Sequence, residues 1–241
     1  MAENRIARYP HLGPDTLHEP ATHGAIARPL IEASAGRHDR VTAAEIGYLH
    51  IGVRELHNAE RGTLMFVAID RISKLAFVEF HDAAGEREGS AFLECALEAF
   101  PYAIRAVLTD DSLAFADRPK VRDDPGRRRG QHAFERVCIE NAIEHVRTKP
   151  FHPWTRNQAH RMTRAIEDVT VGLFRYDDIA CLKAHVLTFV AGYNSAKPLK
   201  ALGWRTPHQA ICDAWAKDPS VFKVDPHTLV GGASVQALNK C

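Results

Sequence analysis

The sequence has no closely spaced pair of cysteines. Its five (Cys95, Cys138, Cys181, Cys212 and Cys241) are scattered and odd in number. That excludes a disulfide framework and any C-x-x-C zinc or redox motif, and suits reduced thiols in a cytosol. No apolar run approaches membrane-spanning length, and the N-terminus lacks the basic-then-apolar pattern of a leader. The expectation is a soluble, cytoplasmic protein with no membrane partner. Charge of one sign is missing too: 31 Lys and Arg stand against 30 Asp and Glu, a formal net charge of +1. No global field therefore argues for nucleic acid, and any such case must rest on local clusters. No internal repeat is visible, and the residues around Ser112 do not form a nucleophile elbow, which removes the serine-hydrolase reading.

What is present is ordinary for a globular chain. Of 241 residues, 45% are hydrophobic and 25% charged, enough for one good-sized domain with tails. Residues 1–45 are rich in Pro, His, Ala and charge and are read as a flexible N-terminal arm, with a short helix possible around Ile26–Ser34. The pattern then changes. Ile46–Val53 reads as a strand, Asn58–Gly62 as a turn, and Leu64–Asp70 and Leu75–Phe80 as two more strands, together an antiparallel meander. Ala91–Phe100 has helical spacing, and Ile104–Thr109 is a fourth strand. Helices are expected over Phe134–Asn141, Asn157–Phe174 and Asp177–Tyr193, with Glu144–Arg147 as a fifth strand. A last helical segment runs from Trp204 through Trp215, and residues 216–241 are read as a loose tail. Three strands in a meander followed by alternating helices and strands predict an α/β mixed five-stranded sheet with helices on both faces.

The chain is organised around Val107-Leu108-Thr109-Asp110-Asp111-Ser112-Leu113-Ala114-Phe115. An apolar strand ends abruptly in two carboxylates, at the end of the strand where ligands collect in α/β sheets. Taken alone, the pair is either an oxygen-ligand site for a hard cation such as Mg²⁺ or a loop opening with an Asx-turn.

The order of further motifs is informative. Leu49-His50-Ile51-Gly52, Ala68-Ile69-Asp70-Arg71-Ile72-Ser73-Lys74, the Asp110 segment, and Thr148–Met162 follow one another, and Tyr193-Asn194 precedes Trp204-Arg205-Thr206-Pro207. Together they resemble the integrase catalytic core of bacterial insertion-sequence transposases, over roughly Ile46 to Trp215. The resemblance implies a ribonuclease-H-like domain at 46–215 and a polynucleotidyl transferase activity in DNA transposition or integration. It also implies two Mg²⁺ ions held by three acids, one on the first strand, one after the fourth and one on a following helix. Such paired ions serve the attacking and leaving oxygens of phosphodiester chemistry.

Carried over by position, the match is incomplete. Asp110 stands at the second acid and is retained. The first acid falls at Gly52. The third falls at His160, within Thr155-Arg156-Asn157-Gln158-Ala159-His160-Arg161, where the family writes Thr-Asn-Gly-x-Ala-Glu-Arg. Asp111 and Ser112 replace the usual Asn and Gly. Gly52 offers no side-chain oxygen, and a neutral His nitrogen suits zinc or copper better than Mg²⁺. Metal at Asp110 is expected to be weak or absent, and the expectation is a fold without the reaction. Asp70 reads as a turn residue, and Glu167 as lying about 10 Å down the helix axis from His160. His50, Asp110 and His160 could alternatively hold a transition metal.

Basic residues flank the same place. Five Lys or Arg and no acid lie between His145 and Ile166 (Arg147, Lys149, Arg156, Arg161 and Arg164), and the 117–131 loop carries six basic against three acidic residues, Arg127, Arg128 and Arg129 among them. These are expected to meet a DNA phosphate backbone non-specifically, with Trp154 able to stack a base. The expected partner is DNA, with a homo-oligomer possible and a nucleoid location if DNA-bound. Residues 1–45 show no helix-turn-helix pattern. A working Mg²⁺-dependent strand transferase with substitute ligands, and a domesticated interaction module, are the alternatives.

Overall fold

The computed structural model describes residues 45–57, 62–117, 132–148 and 157–229. The expected turn at 58–62 and the arm at 1–45 lie almost entirely outside this range. Five strands form one mixed sheet: β1 (Tyr48–His57), β2 (Gly62–Asp70), β3 (Ala76–His81), β4 (Ala106–Thr109) and β5 (Glu144–Arg147), in the spatial order β3-β2-β1-β4-β5. The first three pair antiparallel as a meander, while β4 lies parallel to both β1 and β5. The mixed sheet read from the sequence is the one observed, and β5 has the expected bounds. β1 runs past Val53 to His57 because its ladder with β2 continues through Leu56↔Thr63 and His57↔Gly62.

Alternation along the strands divides the core in two. Leu49, Ile51, Phe66, Ala68, Phe77 and Val107 pack with Phe92, Leu93 and Ala96 of α1 (Glu86–Ala99) and Phe134 and Val137 of α2 (Ala133–Glu140). The opposite face, with Met65, Val67, Ile69 and Val78, receives Ala159, Met162 and Ile166 of α3 (Asn157–Val169) and Leu182, Val186 and Val190 of α4 (Ile179–Ser195).

Helix ends depart from the sequence reading for local reasons. α1 begins at Glu86 rather than Ala91, because the Glu88 carboxylate accepts from the Gly85 N–H and closes a first turn that is polar and so invisible to apolar spacing. α3 stops at Val169 rather than Phe174. The Thr170 hydroxyl donates to Ile166 O at 2.6 Å, and the Gly172 N–H folds back to Glu167 O. The last helix, α5 (Pro207–Lys217), opens on a capping box in which Thr206 and Gln209 satisfy each other's backbone N–H groups. That accounts for the Thr206-Pro207 pair without invoking chemistry. Residues 218–229, expected within a loose tail, instead form two 3₁₀ turns at Pro219–Val221 and Pro226–Thr228. The Lys223 N–H bonds Pro101 O at 2.8 Å, and His208 Nε2 lies 3.1 Å from Pro226 O, which ties this segment to the domain.

The dipeptide Tyr193-Asn194 has a structural role. Asn194 Oδ1 accepts from Ala76 N at 2.9 Å and Nδ2 donates to Ala76 O at 2.8 Å, so one side chain completes the outer hydrogen bonds of an edge strand.

Candidate functional site

The site is assembled where β1, β4 and α3 meet. β4 delivers Asp110 immediately after Thr109, and Asp110 Oδ1 accepts from Ser112 N at 3.0 Å, an Asx-turn. The Phe115 and Ala116 N–H groups then return to Ser112 O, forming a tight loop that buries Ala114, Phe115 and Ala116. Gly89 of α1 lets this loop approach, since a Cβ there would sit 1.9 Å from Ala114 O. His132 fastens the loop from the other side. Its Nδ1 accepts from Phe134 N at 3.3 Å, which leaves Nε2–H to donate to Leu113 O at 3.2 Å.

The register sets Gly52 beside Asp110. The parallel ladder of β1 and β4 ends with His50 paired to Leu108; Gly52 lies two residues further along β1, and Asp110 follows directly after the end of β4. A Cβ on Gly52 would meet the Cβ of Ala159 at 3.5 Å, which points position 52 toward α3 one residue before His160. Three segments far apart in the chain are thus brought together. Asp110 is half-buried, and His160 is exposed on α3. Arg161 and Arg164 are exposed on the same helix. Arg127, Arg128, Arg129, Lys149, Trp154 and Arg156 lie outside the described residues.

No protein-family model matches the sequence, and no curated protein matches it either. Solved structures do. The catalytic core domain of BIV integrase aligns with a TM-score of 0.51 at 14% identity, covering 72% of this chain and 99% of that one. A chain of the simian T-cell lymphotropic virus intasome, solved in complex with PP2A regulatory subunit B56 gamma, aligns with a TM-score of 0.53 at 14% identity. There the alignment covers 72% of this chain and 56% of that one, so this chain spans little more than half the intasome chain's length. The fold is that of an integrase catalytic core.

Within the integrase-core fold, the residues present do not fit a pair of Mg²⁺ ions. Position 52 has no side chain, and position 160 offers an imidazole where a hard cation needs oxygen. Nearby acids are engaged elsewhere. Asp70 pairs across the ladder with Leu49, on the α1 face of the sheet and opposite to position 52. Its carboxylate is fully buried and accepts from Gly47 N, Ile72 N and Ser73 N at 2.7–2.8 Å, which is the turn role its sequence suggests. Glu167 Oε1 is bound by Arg54 Nε at 2.8 Å, tying α3 to the far half of β1. Among the described residues, no group of three His, Cys, Asp or Glu side chains could hold a metal ion, the combination of His50, Asp110 and His160 included. No helix among them is long and apolar enough to cross a membrane.

Positive charges bear on the ring of His50, and of the residues that carry them sequence reading singles out only Arg161. His50 is only 9% exposed, and neither ring nitrogen has a hydrogen-bond partner among the described residues. Burial pushes its pKa down to about 4, and the positive charges of Arg71, Lys74 and Arg161 push the same way. Arg71 and Lys74 come from the β2–β3 turn, where Lys74 Nζ donates to Arg71 O at 2.7 Å, and Arg161 comes from α3. Arg71 is steadied by stacking over Tyr48, 5.6 Å from the ring centroid, and by Gln158 Nε2 donating to its carbonyl at 3.4 Å. On the other side of β4, Thr109 Oγ1 and His145 Nε2 stand 2.8 Å apart. Burial, with Arg147 and His132 adding to it, lowers the His145 pKa to about 4 as well.

Proposed function

We propose that this chain is the integrase-type core of a bacterial insertion-sequence transposase. In this reading the chain has lost two of the three acids needed for DNA strand transfer and keeps a non-specific contact with the DNA backbone. One observation carries the reading. Position 52 faces Ala159 of α3, and Asp110 follows the strand that pairs with the start of β1, which supports reading Gly52, Asp110 and His160 as the places of the three acids. Two-metal phosphodiester chemistry needs carboxylates on both ions, and groups acting as a unit lose nearly all activity when one is removed. The DNA contact draws support from exposed Arg161 and Arg164 beside the site and from the basic residues at 118–129 and 147–156 in the sequence. In this reading the functional domain is 46–215 and the protein acts in the cytoplasm, on the nucleoid when DNA-bound.

The test is a cleavage and strand-transfer assay on duplex substrates with Mg²⁺ or Mn²⁺, alongside gel-shift titrations across salt concentrations. The expected outcome is no metal-dependent cleavage or joining, together with a duplex shift that weakens steeply as salt rises. Metal-dependent joining that disappears in Asp110→Asn would overturn the loss of catalysis. No shift at low salt would overturn the DNA contact and leave an interaction module in its place.

A further inference from the structure

We infer that the loop at 199–205 is a stacking site for an unpaired nucleobase, with Trp204 as the platform and Lys197 and Lys200 drawing the phosphate chain to it. The inference deepens the DNA-contact reading above and rests on it, naming single-stranded or frayed DNA as the form held here. The loop follows α4 and is closed by an antiparallel bridge in which Leu199 N donates to Arg205 O at 2.9 Å. Lys200–Leu202 makes one 3₁₀ turn. Gly203 and Trp204 then both take left-handed backbone, each at a φ of +64°.

Three observations support the assignment. First, Trp204 is displayed rather than packed. It is 59% exposed, and among the described residues no ring stacks on it, whereas Trp215 sits edge-on to Phe222 at 5.3 Å. An exposed indole forfeits the burial that usually draws this side chain inward. Second, the display is held firmly and at a cost. Left-handed backbone suits glycine, and a bulky residue there is strained. Such strain persists only where the surroundings enforce it, and it collects at binding sites. Here Trp204 N donates to Leu199 O at 2.9 Å and Gly203 N to Lys200 O at 3.0 Å. Arg205 fixes the far end, with Nε donating to Leu202 O at 2.9 Å and Nη1 paired with Asp213 of α5. Leu199 and Leu202 root the loop in the core cluster that holds Ala159 and Met162 of α3, so it stands on the side of the sheet toward which position 52 points. Third, the charge along this stretch is of one sign. From Ile179 to Cys212 the chain carries Lys183, Lys197, Lys200 and Arg205 and no acid. With Arg205 taken up by Asp213, exposed Lys200 and half-buried Lys197 remain for phosphates. Trp204 is also the one large apolar residue exposed in the loop. A single flat ring flanked in the chain by cations fits a base and its phosphates better than an apolar protein surface, which needs a broader patch.

The test uses the full chain at low salt with three labelled probes: a short oligothymidylate, an abasic strand of the same length and a blunt duplex. Affinities are read by fluorescence anisotropy. Trp204→Ala is expected to weaken oligothymidylate binding about tenfold, as the loss of one stacked base implies, and to leave the blunt duplex unaffected. Trp204→Phe should keep most of the affinity, because a smaller ring still stacks. Trp204→Gly relieves the left-handed strain, so it should bind as weakly as the Ala variant with no fall in its urea midpoint. That separates lost binding from lost fold. Equal oligothymidylate affinity in the parent and in Trp204→Ala would overturn the site, as would equal parent affinity for the abasic strand. Blunt-duplex binding that persists in that case leaves the DNA-contact reading standing without this site. Ring-dependent oligothymidylate binding with no duplex binding would support the site and remove the duplex reading. A chain that ignores the oligothymidylate but self-associates in a Trp204-dependent way by sedimentation would overturn the site in favour of contact between copies.

Discussion

A Cβ built on Gly52 would stand 3.5 Å from the Cβ of Ala159, an ordinary van der Waals contact. The backbone there has no positive φ, so packing does not enforce glycine at the position where the missing acid would be. Glycine inside a strand costs about 0.5–1 kcal/mol relative to alanine. Gly52→Ala is therefore expected to raise stability by about that amount in urea unfolding. The pair Gly52→Asp with His160→Glu should fold and bind Mn²⁺ measurably by calorimetry, where the unaltered chain shows little heat. A drop in stability for Gly52→Ala of more than about 1 kcal/mol would contradict the open contact.

Asn194 makes two buried bonds to a single residue, Ala76, on the outer side of β3. Removing its side chain strands a backbone donor and an acceptor together. Asn194→Ala is expected to cost about 2–4 kcal/mol in chemical unfolding. The Ala76 amide should also exchange with solvent much faster than its neighbours on β2. Equal protection in the variant and the parent would disprove this role.

Acid should weaken the fold through His50 and His145. Both have folded pKa values near 4, below the ordinary value of 6.5, because burial opposes their charging. The unfolded chain therefore takes up protons first as pH falls. Their contribution is complete above about pH 6.5 and drains away down to about pH 4, on the order of 3 kcal/mol per ring. The measurement is unfolding free energy against pH for the parent and for His145→Gln. The variant should show a shallower loss across that window, and an identical slope would refute the assignment.

Much of the sheet could be read from sequence because its strands are largely apolar runs separated by turn residues, as at Leu64–Asp70 and Leu75–Phe80. Elements whose ends are set by polar backbone bonds were less legible. The first turn of α1 depends on Gly85 and Glu88, and the end of α3 on Thr170 and Gly172. The site divides the same way. Gly52, Asp110 and His160 were found because linear motifs carry them. The influence of Arg71 and Lys74 on His50 was not, since it depends on the β2–β3 turn folding against the start of β1, whereas Arg161 stood in the basic run already noted. A signal existed in the run Asp70-Arg71-Ile72-Ser73-Lys74, whose acid turns into the α1 face while Arg71 lies over Tyr48 and Lys74 donates to Arg71 O.

The grip of Asn194 on Ala76 also bears on how copies of this chain could meet. Sheets tend to grow sideways when an outermost strand offers free amides and carbonyls to a neighbour. At β3 that invitation is withdrawn at Ala76, and at the opposite border β5 is four residues long, with Glu144 and Arg147 exposed. Self-association of this fold should therefore proceed through helices or loops rather than by zipping two sheets into one.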